Sequence, residues 1–462
     1  MKIKRSALLS VAVIVGLAVM SGCGCKQTNT KQYKVNLEIW GFDDTSDTFN
    51  EILDTYKKTN PNIQSIEYKK LSGDTYRKEL IDAMAAGQGP DIFVLHNTWL
   101  TGFSDKIVPA SKEIINEQKL KRDFVDVVAD DFLSQGSVWA VPLSVDSLGL
   151  YYNKDFFNAA SITSPPKNWN DFITDVGILT KVDNFGEISR SGASLGTAYN
   201  INRATDILNL MMLQNGTKMM DNNGLASFDQ SQMIEGKTVS SGENALTFYT
   251  DFARTGSSKY TWNRNMHYSI DAFSEGTLAM MLNYSWHMKT IENKSPKLNF
   301  AVAPIPQVAG NTSVNYANYW AYGVAKNKIS SKNSTNVTND IRAQEAWKFL
   351  VFLTTKPEAP IQIQTNTVRS SKTVSSNYDP ASVYIKNTGK PAARRDLIEI
   401  QKTDPEIGVF ATDNLIAKSW KQADADATDV IFSEMIDQVN RGQSTVREAL
   451  QTAAKRVDQL AK

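Results

Sequence analysis

The sequence predicts an α/β protein of more than one domain, with helices packed on parallel sheet. Three observations carry this. The chain has 462 residues, more than one hydrophobic core ordinarily organises. Between residues 35 and 95 strand and helix patterns alternate, the order that makes neighbouring strands parallel. Hydrophobic residues are 41% against 21% charged, a balance that supports packed cores and is too apolar for a disordered chain.

Residues 35–40 alternate as a strand. Phe49, Ile52, Leu53 and Tyr56 follow at helical spacing, with Thr48 and Glu51 placed as a capping box and Pro61 ending the helix. Residues 63–68 form a second strand, and Tyr76, Leu80, Ile81 and Met84 a second helical stripe. Gly87-Gln88-Gly89-Pro90 then punctuates before an apolar strand at 91–95. Residues 138–142 make a short strand closed by proline. A new run at 148–152 leads into helices near 170–180 and 203–215, then strands at 279–283, 299–302 and 320–325. The polar stretch 330–339 reads as a solvated loop, 343–354 as a helix, and the remainder as mainly helix. The last helix opens with a Thr445-x-x-Glu448 box ahead of Val446, Ala449, Leu450, Ala453, Val457 and Leu460. Prolines at 142 and at 304 and 306 suit chain crossings, and those at 357 and 360 break the helical pattern.

The N-terminus carries an export signal. Lys2, Lys4 and Arg5 precede an apolar run at 7–20, too short for a mature span, and small residues Ser21 and Gly22 lead to Cys23. Met20-Ser21-Gly22-Cys23 resembles a bacterial lipoprotein box, which implies cleavage after residue 22 and a lipidated Cys23; Cys25 makes a poorer box. Both cysteines of the chain sit here, so nothing downstream can form a disulfide. Cleavage removes three cations and no acid, taking the formal charge from +1 to −2, with residues 23–34 as a flexible tether. That neutrality excludes an electrostatic nucleic-acid binder.

Catalytic and metal motifs find little support. Gly192-Ala193-Ser194-Leu195-Gly196 fits the spacing of a nucleophile elbow, but polar residues 186–191 read as loop rather than buried strand. Asp221-Asn222-Asn223-Gly224 could open a calcium loop, but no glutamate stands at the twelfth position, so a tight turn is expected. There is no phosphate-binding loop, no H-E-x-x-H and no Cys/His cluster, so neither metal nor cofactor is expected.

Six ordered segments carry a family resemblance. LSGDTYRKELIDAMAAGQGPDIFVLHNTWLTG (71–102), VWAVPLSVDSLGLYYNKDFF (138–157), PPKNWNDF (165–172), AFSEGTLAMMLNYSW (272–286), EAWKFLVFLTT (345–355) and RGQSTVREALQTAAKRV (441–457) resemble the carbohydrate-binding family of bacterial extracellular solute-binding proteins that feed ABC importers. The resemblance implies an α/β, type II periplasmic-binding-protein-like fold of discontinuous lobes joined by hinge crossovers, a first (35–142 and 306–357) and a second (143–305 and 358–462), with a third crossing near 355–366 and a ligand held in the cleft between them. It implies no catalysis, a monomer, a sugar or oligosaccharide ligand, and membrane permease subunits as partners. Tyr284 departs from the small residue usual beside Ser285 and Trp286, and could narrow the cleft.

A pyranose offers one face of C–H groups and a rim of hydroxyls, so a sugar site wants flat rings with Asp, Asn or Arg at their edges. By resemblance the cleft receives Trp40, Asp43 and Asp44, then Asn97, Trp99 and Asp146. Trp286 and the strip Asn318-Tyr319-Trp320 complete it, with Arg369 and Trp420. Each has a plainer reading: Trp40 and Trp320 as core, the acids as helix caps or turns, Arg369 as a surface side chain, and His96 and His287 as packing residues. Two rival functions stay open. One is the same fold binding a polyamine or polyol phosphate; the other is a secreted glycosidase or esterase.

Overall fold

The computed structural model describes residues 33–234, 236–329, 337–367 and 370–460; Cys23, Arg369 and residues 330–336 of the expected loop lie outside the described residues. The first lobe opens with β1 (Val35–Gly41), α1 (Ser46–Thr59), β2 (Ile63–Lys70), α2 (Tyr76–Ala85) and β3 (Ile92–His96). β1 lies between β2 and β3 and runs parallel to both, and Trp320–Val324 closes the sheet antiparallel to β3. Ile92, Phe93, Val94 and Leu95 are all buried, as expected of a strand covered on both faces. The stripe Phe49, Ile52, Leu53 and Tyr56 buries α1 against this sheet. The helix begins at Ser46, however, and its N-cap Thr45 makes no side-chain capping bond, so Thr48 and Glu51 are interior residues rather than a box. Asp44, held by Tyr384 and Lys390, fixes the entry of the chain just upstream.

The second lobe is built on a five-stranded mixed sheet in the order Phe300–Ala303, Gly149–Asn153, Leu278–Asn283, Ile188–Ala193, Lys181–Val182. Helices Trp169–Leu179, Ala204–Gln214, Ala425–Asn440 and Val446–Leu460 pack around it. The last shows the expected box: the Thr445 N–H and hydroxyl donate to the Glu448 carboxylate, and the Glu448 N–H donates back to Thr445 Oγ1 at 3.3 Å.

Two hydrophobic cores accompany the two sheets, and the chain changes core three times. The first change falls between Val145 and Leu148, close to the expected crossing; the second falls between Tyr316 and Ala317, well after the expected boundary at 306, because Tyr316 still packs in the second core with Ile305. The third also differs from expectation. Residues 358–400 are expected in the second lobe, yet Ala381, Tyr384, Ile385, Ala392, Leu397 and Ile398 pack in the first core, and, Phe410 apart, the chain stays with it through Ala417 and leaves before Trp420. Pro357 and Pro360 mark the end of helix Asn339–Thr354 and not a crossing. The segment after these prolines is also not helix: Ile361–Thr367 and Ser370–Ser376 form an antiparallel hairpin, so strand pairing overrides the expected helix there.

Candidate functional site

In open α/β sheets ligands bind beyond the carboxyl ends of the parallel strands. Here β1 delivers Phe42 and β3 delivers His96, Asn97 and Trp99 to that edge, where Trp320 pairs with His96. The rings form one group. Trp320 meets Phe42 edge-on at 4.6 Å, Trp99 at 5.0 Å and His96 at 5.1 Å. Trp99 is stacked on Phe103 at 5.4 Å, and the Arg77 guanidinium lies 5.1 Å from its ring centroid.

The facing wall comes from the second lobe. Strand Leu278–Asn283 ends at Tyr284, Ser285 and Trp286. Trp286 is 40% exposed and stacks on Tyr284 at 4.5 Å with an interplanar angle of 16°. Tyr284 therefore underlies the ring instead of narrowing the cleft: it is fully buried, and its hydroxyl donates to Asp206 at 2.9 Å. Arg203, left-handed at φ 62°, precedes helix Ala204–Gln214 and places its guanidinium 5.4 Å from the Trp286 centroid. Beside this ring the Arg203 Nε and both ring nitrogens of His287 are removed from water without a protein partner, as is the Oδ1 of Asn202, the residue before Arg203. Such atoms cost about 1–3 kcal/mol each. Burial, with the Arg203 charge, pushes His287 down to about 4, so its imidazole is neutral and offers one donor and one acceptor.

Polar bonds join the two walls. Asp206 accepts from Asn318 Nδ2 at 3.2 Å, and Asn318 Oδ1 faces His96 Nε2 at 3.0 Å. With the Asn318 oxygen accepting, His96 Nε2–H donates and His96 Nδ1, 2.7 Å from Thr98 Oγ1, accepts from that hydroxyl. Burial holds His96 below its ordinary value, in keeping with a neutral ring. At the first crossing Asp146 accepts from the Ser285 N–H at 3.0 Å and from its hydroxyl, while burial pushes its carboxyl up to about 7. On the outer edge Arg77 reaches across to Asp426 at 2.5 Å and Asp424 at 3.6 Å, at the start of helix Ala425–Asn440.

The structure thus brings together Trp99, Asp146, Trp286, Asn318 and Trp320. Others serve the frame. Trp40 donates to Glu38 at 2.9 Å beneath Lys69. Asp43 and Asp44 are both bound by Lys390, at 2.5 and 2.8 Å. Asn97 and Tyr319 both donate to the buried Asp131, at 3.2 and 2.7 Å, and burial pushes that carboxyl up to about 6. Trp420 donates to Asn209 at 3.0 Å within the second core. Sequence reasoning missed Phe42, Arg77, Asn202, Arg203 and Asp206. One signal was available, because Arg203 and Asp206 are the charged residues at the head of a helix otherwise as apolar as Ile207 to Met212.

Ser194 does follow a strand, Ile188–Ala193, which corrects the loop reading: residues 191–193 are buried between neighbouring strands. It is not an elbow serine, since it is 1% exposed and the next helix begins only at Ala204. Residues 221–224 form the expected turn, with Asp221 Oδ1 accepting from the N–H groups of Asn223 and Leu225. No metal-ligating cluster occurs among the described residues.

Comparison with known proteins agrees with this geometry. The model of the bacterial extracellular solute-binding protein family matches residues 42–360. The chain belongs to that family. Among curated relatives of this solute-binding protein, a putative binding protein of Brucella abortus (strain 2308) is 23% identical over 76% of each chain. The maltotriose-binding protein of Pyrococcus abyssi is 23% identical over 68% of this chain and 61% of its own. Among solved structures, the cyclic alpha-maltosyl-1,6-maltose binding protein of Arthrobacter globiformis superposes with a TM-score of 0.71 at 17% identity, covering 93% of this chain and 99% of that one. The sugar-binding protein MalE of Xanthomonas citri gives 0.69 at 18% identity, covering 92% and 97%. The solute-binding protein therefore has the two-lobe, type II periplasmic-binding-protein fold, and the family and these neighbours are binding proteins rather than enzymes.

Proposed function

We propose that this solute-binding protein captures an oligosaccharide between its lobes and delivers it, without chemistry, to permease subunits in the membrane. The observation that carries the reading is the Trp286 ring: 40% exposed, backed by Tyr284, and flanked by the Arg203 guanidinium 5.4 Å from its centroid. A sugar ring supplies what is missing, an apolar C–H face for the indole and hydroxyls that both donate and accept. The Pyrococcus protein binds maltotriose, the Arthrobacter protein cyclic alpha-maltosyl-1,6-maltose and the Xanthomonas protein sugar, which points the same way. The protein acts as a monomer, exported by residues 1–22 and held to the membrane by a lipid on Cys23. Ligand contact with both walls favours the closed arrangement that the Asp206–Asn318–His96 chain ties together.

One observation favours a second reading, a polyamine. Asp429 reaches solvent, yet the protein around it and the Asp206 charge push its carboxyl up to about 7, so acids crowd this rim. A thermal-shift screen against oligosaccharides, polyamines and polyol phosphates separates the two. A ligand at a hundredfold its Kd stabilises by about 2.7 kcal/mol. Stabilisation by oligosaccharides is expected; stabilisation by polyamines or phosphates alone would overturn the sugar assignment.

A further inference from the structure

Only four aromatic rings are strongly exposed among the described side chains, Phe185, Tyr199, Tyr268 and Trp286, and three of them converge on one loop of the second lobe. Exposed rings are ordinarily scattered, and a contiguous set marks a binding surface. The loop is residues 197–203. Its far end carries Arg203 against Trp286. Its neighbour Asn202 donates from Nδ2 to the Tyr268 hydroxyl at 2.7 Å, while the Asn202 Oδ1 is left without a partner. Tyr268 is 40% exposed and Tyr199, nearer the loop's start, is 59% exposed with Arg264 5.6 Å from its ring centroid.

The surface is rigidly built. Asn200 donates to the carbonyls of Asn263 and Met266 at 2.9 and 3.0 Å, and its Oδ1 accepts from the Trp262 indole at 3.0 Å. The Ser269 N–H donates to the Asn200 carbonyl at 2.9 Å, and the Asn202 N–H donates to Ser269 Oγ at 2.9 Å. These bonds fix the loop against the segment that carries Tyr268, and the Asn202 amide holds the Tyr268 hydroxyl, so a ligand meets a surface that is already in place.

On the reading that the cleft takes a sugar, we infer that the ligand is an oligosaccharide longer than the cleft, with its outer units seated on Tyr268, Asn202 and Tyr199 beyond Trp286. The pairing of ring and amide repeats the chemistry of the Trp286 wall, and the loop that links them belongs to the second lobe alone. Occupancy of this platform therefore adds affinity for long chains without being needed for short ones.

Isothermal titration of the purified protein with maltose, maltotriose, maltopentaose and maltoheptaose tests this. Affinity is expected to rise with length. Tyr268→Ala should lower the affinity for maltoheptaose by about tenfold while changing that for the shortest bound member by less than about twofold, and Tyr268→Phe should retain the wild-type profile. Trp286→Ala should weaken every length alike. An equal loss at all lengths in Tyr268→Ala, or no gain on lengthening in the wild type, would overturn the outer platform and leave the cleft reading intact. No binding of any member by the wild type would overturn both for α-linked glucans.

Discussion

Replacing Trp286 with alanine removes the open indole face while leaving its surroundings in place. A tryptophan side chain buries up to about 250 Å². With Trp286 40% exposed, a stacked sugar covers on the order of 100 Å² of it. At roughly 25 cal/mol per Å² this is about 2.5 kcal/mol, a Kd raised by about 70-fold. The loss of stability is at least as large, about 3–4 kcal/mol, because the remaining part of the ring, on the order of 150 Å², is already buried in the fold, where it stacks on Tyr284 at 4.5 Å. Titration calorimetry with the best oligosaccharide from the thermal-shift screen reads the first quantity and denaturant unfolding the second. Trp286→Phe separates ring from residue and should recover most of the affinity. A Kd changed by less than about threefold in the alanine variant would refute the assignment of this ring.

Three further outcomes are expected. Arg77→Ala removes the tie from Trp99 to Asp424 and Asp426; because those carboxylates are largely exposed, stability should change by less than about 1 kcal/mol, while ligand dissociation accelerates and loses its dependence on salt in stopped-flow measurements. Burial raises Asp413 and Asp146 to about 7, so both favour the folded state below the unfolded value near 4 and lose that contribution as pH rises through 7. Asp413→Asn should accordingly flatten the fall in Tm between pH 5 and 8, and a wild-type Tm that rises over that interval would contradict the assignment. Cys23→Ser should abolish lipid labelling and release the protein from the membrane fraction, whereas Cys25→Ser should do neither.

The first lobe was legible because its periodicities are clean. α1 shows its buried stripe every three or four residues, and β3 is an apolar run bounded by Gly-Pro and polar residues, so order and parallel pairing can be read directly. The third crossing was not legible. Prolines at 357 and 360 look like a boundary, and only long-range packing of Tyr384 and Ile398 shows that the chain stays in the first core. The hairpin at 361–376 alternates polar residues with few large apolar ones, leaving no hydrophobic period to read.

The site divides in the same way. Trp99, Trp320 and Trp286 stand at strand ends, positions that sequence can locate, and all three line the walls. Asn97 and Tyr319 also stand near strand ends, but which side of the edge they face depends on the buried Asp131 that neither could announce. Arg203 and Asp206 come from a helix start far along the chain: Arg203 reaches Trp286 through the packing of the second lobe, and Asp206 becomes a partner of Asn318 only when the lobes meet.

A co-crystal structure with the oligosaccharide that gives the largest thermal shift tests the capture mechanism most directly. The expected complex has a sugar ring stacked on the open face of Trp286, with hydroxyls on Arg203, Asn202 or His287 and with the first-lobe rings Trp99 and Trp320 closing over it. A sugar seated elsewhere, with the space between Trp286 and Trp320 left to solvent, would contradict it.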